Sequence, residues 1–185
     1  GFKIVNTRLG NTRSRGILIK SDDGVIDGCT IEGCIMSAIS IGPEYYWNEA
    51  NYVWNLTISN NTIRDCNKHG TEHGVIFVHG DGAIGNRKII IRNNRIETGP
   101  CRYVLNLQWA DGIDIASNAF VNAPYETPVR APSMIWLSHC RNVKFTDNTV
   151  TQQGSYPGNL LGEGPDVLGT VNNRGIRVVS APATR

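Results

Sequence analysis

The sequence predicts an all-β chain wound as a right-handed parallel β-helix, a solenoid of about five to six coils. One phrase recurs along it: an apolar residue, two residues, an asparagine, one residue and a second apolar residue. The copies follow one another at intervals of 24 to 33 residues, which is the spacing of a repeat array. Within each copy the apolar residues alternate, as at Leu56 and Ile58, and this period of two is typical of a strand.

The asparagine of the phrase is predicted to form a ladder along the stack. Asn tolerates the left-handed backbone of a bend, and its amide bonds readily to nearby backbone. Stacked coils place equivalent residues about 4.8 Å apart, so amide can bond to amide. The aligned column contains Cys29, Asn61, Asn94, Asn118 and Asn148, with Thr7 in a sixth, degenerate copy.

A second family of strands lies between the asparagine-bearing ones. Its apolar pairs are predicted to point into the coil: Ile17/Ile19, Ile39/Ile41, Ile76/Val78, Leu105/Leu107 and Ile135/Leu137. The residues between and beside them then form an outer face: Leu18, Lys20, Ser40, Phe77, His79, Asn106, Gln108, Trp136 and Ser138.

The chain of 185 residues is predicted to form one domain. Residues 1–154 are interpreted as β-helix coils, and residues 155–185 as a Gly-rich stretch with a capping strand that belongs to the same domain. Because the opening GFKIV lies already inside the repeat, we expect further N-terminal coils in a longer parent chain.

Composition narrows the range of partners. A net charge of +2 gives no strong field for nucleic acid, and no apolar run is long enough for a membrane span. The cysteine count is odd, at five, and Cys34 and Cys66 are expected to stack on adjacent coils, as buried thiols or as a bridge. Solenoids of this kind are usually found outside the cytoplasm, which predicts an extracellular or periplasmic location. The oligomeric state stays open.

Candidate catalytic residues follow the second strand family. Asp22, Glu44, Asp81 and Asp111 come at or next to the same offset after their strands, which predicts a column of carboxylates about 5 Å apart between neighbouring coils. Two such groups at about 5–5.5 Å, or at about 6.5–9.5 Å, are what a retaining or an inverting glycoside hydrolase requires. The alternative is ordinary turn chemistry, since Asp22, Asp81 and Asp111 stand in the sequences DDG, GDG and ADG.

Candidate substrate-binding residues lie near the same edge. Aromatic rings with an exposed face suit sugar rings, and Trp47, Phe77, Trp109 and Trp136 are the candidates. Polar partners for sugar hydroxyls are Lys20, His79 and Gln108. No motif with convincing metal-ligand spacing is present.

The run from Asn11 to Cys66 resembles a segment of glycoside hydrolase family 110, the β-helix enzymes that remove α-1,3-linked galactose from blood-group-type glycans. The resemblance rests on RGILI at Arg15–Ile19, on the insertion with Trp47 and Glu49, and on VWNLTISNNTI after it. It implies that Arg15, Trp47 and Glu49 line one end of a glycan site. It also implies catalytic Asp residues in coils that precede this chain, in competition with the local carboxylate column.

The leading functional hypothesis is a glycoside hydrolase segment that acts on a galactose-containing or other complex glycan without a redox cofactor. A polysaccharide lyase is the nearest enzymatic alternative, in which the acidic column holds Ca²⁺ and a Lys or Arg abstracts the proton. The alternative from another class is a non-catalytic glycan-binding or adhesive solenoid.

Overall fold

The computed structural model describes residues 1–49, 51–68, 73–99, 101, 103–122, 134–152, 159–163 and 167–180. In these ranges the chain forms twenty β-strands, numbered β1 to β20 in chain order, and a single 3-10 turn, Tyr45–Trp47. The strands build three sheets, A, B and C, in which every pair of adjacent strands is parallel. The chain visits the sheets in turn, so each circuit is one coil of a solenoid.

Sheet A contains β1 (Phe2–Val5), β4 (Gly24–Asp27), β7 (Trp54–Ser59), β10 (Asn86–Arg92), β13 (Ala110–Ala116), β16 (Arg141–Thr146) and β19 (Val167–Val171). Sheet B contains β2 (Arg8–Gly10), β5 (Thr30–Glu32), β8 (Thr62–Arg64), β11 (Arg95–Thr98), β14 (Ala119–Asn122) and β17 (Thr149–Gln152). Sheet C contains β3 (Ile17–Ile19), β6 (Ile39–Ile41), β9 (Ile76–Val78), β12 (Leu105–Gln108), β15 (Ile135–Ser138), β18 (Asn159–Glu163) and β20 (Arg177–Ser180). The all-β parallel fold predicted from the sequence is confirmed, and the described strands reach a seventh coil, one or two more than expected.

The core is a stack of aliphatic side chains inside the coils. In sheet C the register pairs Ile17 with Ile39 and Ile39 with Ile76, as the apolar pairs of the sequence predict. Side chains such as Ile39 and Ile76 are fully buried. Each contributes about 1.5–3 kcal/mol of hydrophobic stabilisation, so the coil interior is the main source of stability.

The predicted asparagine ladder is present directly before the sheet B strands β8, β11, β14 and β17. The Asn61 side-chain amide donates to Asn94 Oδ1 at 2.9 Å, and its Oδ1 accepts from the backbone N–H of Cys29 at 2.8 Å. The pattern continues through Asn118 and Asn148. The sequence reading missed Asn173, which accepts the Asn148 amide at 3.1 Å.

Cys29 takes over the donor role of a ladder asparagine but not its acceptor role. Each ladder amide also donates to a backbone carbonyl of the preceding coil, as Asn61 Nδ2 does to Ile26 at 3.0 Å. The Cys29 thiol makes the equivalent contact with the Ile4 carbonyl at 3.4 Å. A small thiol therefore takes the donor role of the amide at this rung, but it offers no oxygen to Thr7, the residue below it in the column.

The left-handed residue at each bend precedes the ladder residue. Positive φ is found at Asn60 (56°), Asn93 (55°), Ser117 (55°) and Asp147 (56°), directly before the four ladder asparagines from Asn61 to Asn148. The sequence interpretation placed bend and ladder in one residue. In the structure one residue adopts the left-handed bend and the next residue supplies the ladder amide, because the ladder residue must keep its side chain pointing into the coil.

The outer face of sheet C is largely covered. The outward-pointing residues of this face, in register with one another or beside one another, include Ser40, Phe77, Asn106 and Ser138. Phe77 is nevertheless only 7% exposed and Asn106 only 2% exposed. The ring of His73, from the preceding connection, stacks on Phe77 with 4.7 Å between centroids. Connections between strands therefore fold over this face and leave only part of it open to a ligand.

Strands continue after residue 154. β18 pairs in parallel with β15, β19 with β16, and β20 with β18. The described part of the C-terminal stretch therefore extends sheets A and C. The final strand lies at the edge of sheet C in the same direction as its neighbours.

All five cysteines are free and buried. The hydrogen bond between the stacked thiols of Cys34 and Cys66 lowers the pKa of Cys34 and raises that of Cys66. The expectation of stacked buried thiols on adjacent coils is confirmed, and no bridge joins them.

Candidate functional site

A cleft of about 280 Å³ opens on the outer side of sheet C, across the first three coils. It lies where β6 and β9 end and where the connection from β6 to β7 leaves the coil. Its lining combines aromatic rings with a few polar groups, as is usual for small-molecule sites. The lining residues are Arg15, Ser40, Gly42, Pro43, Glu44, Tyr45, Tyr46, Trp47, His73, Phe77 and His79.

The connection after β6 is a closed, well-bonded loop. The backbones of Glu44 and Glu49 pair in an antiparallel bridge, with Glu44 N donating to Glu49 O at 3.1 Å. Between them the 3-10 turn is closed by Trp47 N donating to Glu44 O at 2.9 Å, and Asn48 ends it with a left-handed φ of 52°. This loop turns Glu44 toward the strands and leaves Trp47 at the tip, where it is 67% exposed.

Four charged side chains form a chain of ion pairs beside the cleft. Arg15 Nη2 bonds to Glu44 Oε1, and Lys20 Nζ bonds to Glu44 Oε2 at 3.0 Å. The same Lys20 nitrogen bonds to Glu49 Oε2. Arg15, Lys20 and Glu44 are mostly shielded from solvent, so these pairs are held more firmly than exposed ones.

Glu44 is held in its ionised form. Burial acts to raise its pKa, but the hydrogen bond from Lys20 and the positive charges of Arg15 and Lys20 outweigh that effect, and the pKa lies below its usual value. The bond to Glu49 similarly raises the pKa of Lys20. Glu44 is therefore suited to accept hydrogen bonds or to act as a base or nucleophile, and not to act as an acid.

His79 has a defined tautomer when it is neutral. Its Nδ1 lies 2.9 Å from the Pro43 carbonyl oxygen, which only accepts, so Nδ1 carries the proton. Nε2 is then left as an acceptor. The ring also stacks against Phe77, with 5.3 Å between centroids, so packing fixes its orientation at the cleft.

Arg15 has one donor without a partner. Its Nε is buried and has no hydrogen-bond partner among the described residues, at a cost of about 1–3 kcal/mol. Because this nitrogen is shielded from solvent, it is not a contact point for a ligand. The lining of the cleft offers a donor in the exposed Tyr46 hydroxyl and acceptors at Glu44 and His79.

A family model described as a right-handed β-helix region matches residues 1–180. The chain belongs to the right-handed β-helix family. The predicted handedness of the solenoid is thereby confirmed. No curated protein and no solved structure matches the chain, so no relative supports the narrower resemblance to glycoside hydrolase family 110.

Seven of the predicted site residues of this β-helix come together at the cleft or directly beside it. Arg15, Glu44, Trp47 and His79 line it, while Lys20 lies behind Glu44 and holds Glu49 on its other side. Phe77 also belongs to the lining, but it is a buried part of the floor and not an exposed stacking surface.

The four predicted carboxylates do not form one column. Asp22 Oδ1 accepts the backbone N–H of Trp54 at 2.7 Å at the edge of sheet A, and Trp54 is in register with Arg87. Arg87 is in turn in register with Asp111, so Asp22 and Asp111 are separated by two residues and roughly 14 Å. The predicted geometry is wrong, because connections of unequal length follow the strands of sheet C.

The remaining carboxylates have different surroundings. Asp81 is exposed in the connection after β9, and its negative charge adds to burial and to the Tyr52 hydrogen bond in raising the pKa of Tyr45. Asp81 therefore lies on the Tyr45 side of the loop. Asp111 accepts from the Asn142 side chain at 2.6 Å on sheet A, away from the Glu44 cleft.

Three predicted binding residues lie further along sheet C. Gln108 donates to Asn106 at 3.0 Å, and the half-buried Trp136 ring lies 6.2 Å from the ring of Tyr103. Trp109 stacks face to face on His139, with 4.0 Å between centroids and 2° between planes. These residues belong to the fourth and fifth coils, so they lie beyond the residues that line the cleft.

Sequence reasoning missed two parts of the site. Tyr45 and Tyr46 were not assigned a role, although they form the wall beside Trp47. His73 was missed because it lies in a connection whose course no repeat predicts. A usable signal was present only for the tyrosines, since YYW is a run of three aromatic residues within one insertion.

The described residues contain no group of three or more His, Cys, Asp or Glu side chains that could hold a metal ion. The acidic column to which the lyase alternative assigned Ca²⁺ is divided between sheet A and the loops of sheet C. Within the same residues, no helix has the length and apolar character required to cross a membrane.

Proposed function

We propose that this β-helix binds a glycan in the Glu44 cleft. The observation that carries the proposal is the pairing of exposed aromatic rings with a polar floor. Tyr46 is 88% exposed and Trp47 is 67% exposed, with their rings edge to face at 5.0 Å. Large exposed aromatic side chains mark binding surfaces, and their flat faces suit the C–H faces of sugar rings.

The floor complements the hydroxyl groups of a sugar. A hydroxyl both donates and accepts, so a site for it needs donors and acceptors side by side. The exposed Tyr46 hydroxyl supplies a donor, and the Glu44 carboxylate and His79 Nε2 supply acceptors. A glycan ligand is also consistent with the extracellular or periplasmic location that we expect.

A second candidate function, glycoside hydrolysis, has one observation in its favour. Glu44 and Glu49 both bond to Lys20 Nζ, so their nearest oxygens lie within about 6 Å of each other. The roughly 5–5.5 Å between the two carboxyl groups of a retaining enzyme lies within this limit. In this version the ionised Glu44 is the nucleophile and the exposed Glu49, in its protonated form and released from Lys20, is the acid, with Asp22, Asp81 and Asp111 outside the reaction.

The binding proposal is tested by calorimetric titration of the chain with a panel of neutral oligosaccharides, including α-galactosides. Trp54 provides a matched control for Trp47, because it is also an exposed tryptophan (57%) but lies on sheet A, outside the cleft. We expect Trp47→Ala to weaken binding by about tenfold or more and Trp54→Ala to leave it unchanged. Equal effects of the two variants, or no binding across the panel, contradict the proposal.

Hydrolysis is tested separately, by release of reducing sugar from every glycan that binds. If the chain cleaves, Glu44→Gln and Glu49→Gln should each lower kcat by at least about 100-fold. Binding without release leaves the chain as a binding solenoid and removes the hydrolase version.

A further inference from the structure

The cleft carries balanced charge. Apart from its two histidines, the charged side chains among the described lining residues are Arg15 and Glu44, which bond to each other. Lys20 lies behind them and is shared between Glu44 and Glu49. Two cations therefore meet two carboxylates of the protein itself.

We propose that Glu44 makes the cleft selective for uncharged sugars, by occupying the cation that would otherwise bind the carboxylate of an acidic sugar. The inference rests on the proposed glycan site and names the class of sugar that it takes. A guanidinium matches a carboxylate with two parallel hydrogen bonds, so Arg15 alone would be a natural site for a uronate. With Glu44 in place, a second carboxylate meets a like charge and no free cation.

The position of Glu44 supports this role. Its two oxygens are divided between two cations, Oε1 to Arg15 and Oε2 to Lys20. Both cations also hold the pKa of the Glu44 carboxyl below its usual value, so the negative charge is present at neutral pH. Selectivity of this kind works by rejection, since like charges brought together at a binding site cost affinity.

Removal of the charge should reverse the preference. In Glu44→Gln the side chain keeps its size, Lys20 keeps Glu49, and Arg15 loses its carboxylate. The charge of the lining then changes from zero to +1. We expect the affinity for an acidic oligosaccharide to rise by at least about tenfold relative to its neutral counterpart, and salt to weaken the gain.

The experiment compares a neutral trigalactoside with a trigalacturonate by calorimetric titration against wild type, Glu44→Gln and Asp111→Asn. The two ligands share ring size and length and differ in charge. Asp111→Asn is the matched control, because it also removes one carboxylate, on sheet A away from the cleft, and leaves Arg15 paired with Glu44. Thermal unfolding of each variant establishes that the fold is retained.

The result that supports the inference is neutral-sugar binding by wild type and by Asp111→Asn, with acidic-sugar binding acquired only by Glu44→Gln. If wild type binds the neutral sugar and Glu44→Gln acquires no acidic binding, the selectivity role is wrong while the glycan site stands. If wild type binds trigalacturonate as tightly as trigalactoside, the inference is overturned as well. If wild type binds neither ligand nor any other glycan of the panel, the proposed function and the inference both fail.

Discussion

Replacement of Asn118 by alanine is the sharpest test of how the solenoid is held together. Asn118 lies in the middle of the ladder and is almost fully buried. Its Oδ1 accepts from the backbone N–H and from the side-chain amide of Asn94, each at 3.0 Å. Its Nδ2 donates to the Ile91 carbonyl at 2.8 Å and to Asn148 Oδ1 at 3.0 Å.

The magnitude follows from these four hydrogen bonds. Each contributes about 1 kcal/mol net, and the partners left behind in Asn118→Ala are buried and cannot reach water. The expected loss in the free energy of unfolding is about 4 kcal/mol, a large share of the roughly 5–15 kcal/mol typical of a domain. With an m-value of about 2 kcal/mol/M, the urea midpoint falls by about 2 M.

Urea denaturation followed by circular dichroism measures the effect. Asn51→Ala is the control, since Asn51 is exposed and lies outside the ladder, and its stability should change by less than about 0.5 kcal/mol. A loss below about 1 kcal/mol for Asn118→Ala would refute the view that the amide column stabilises the stack. A loss equal to that of the control would do so as well.

Two further predictions concern titration. Hydrogen bonds from Ser59 and Asn60 lower the pKa of Asp27. Their stabilising effect is thus fully present above the unfolded pKa of about 3.9 and is lost as the pH falls through the folded value. The stability difference between wild type and Asp27→Asn should therefore shrink as the pH falls below about 4 in urea titrations, and a constant difference would contradict the assignment. Burial raises the pKa of Cys101 to about 12 and that of Cys140 to about 11. Neither thiol should therefore react with Ellman's reagent at neutral pH until the protein is unfolded. Rapid labelling of the native protein at either position would show that the coil interior opens.

The parts of the fold that depend on the interior of the coil were predictable from the sequence. The apolar pair Ile39/Ile41 aligns with Ile76/Val78 because every coil must place two side chains inward at the same height. The ladder was predictable for the same reason, since one amide per coil must face the next. Both features repeat, and repetition is visible in a single sequence.

The site was less predictable because it is made by connections that do not repeat. Between a sheet C strand and the next sheet A strand the chain uses 4 residues after β3, 12 after β6, 7 after β9 and 1 after β12. A fixed offset of three residues therefore reaches a different place in each coil. This is why Glu44 lies over sheet C while Asp111 belongs to sheet A.

The outer face shows a related limit. The alternation of side chains correctly assigned Phe77 and Trp136 to the outside of the coil. It gave no information about the connections that cover them, so the burial of Phe77 was not foreseen. Direction follows from the period of a strand, whereas exposure depends on tertiary packing.

The ladder also has an electrical direction. In each rung from Asn61 to Asn148 one side-chain N–H points toward the following coil, as from Asn61 to Asn94 and from Asn118 to Asn148, and the oxygen points back, while the amide also donates to a backbone carbonyl of the preceding coil. The amide dipoles are therefore aligned head to tail, with the oxygen end toward the N-terminal coils, and aligned hydrogen bonds polarise one another. An interior rung is strengthened from both sides and a terminal rung from one. The column consequently resembles a single polarised filament through the solenoid, in which the contribution of each asparagine depends on its distance from the two ends.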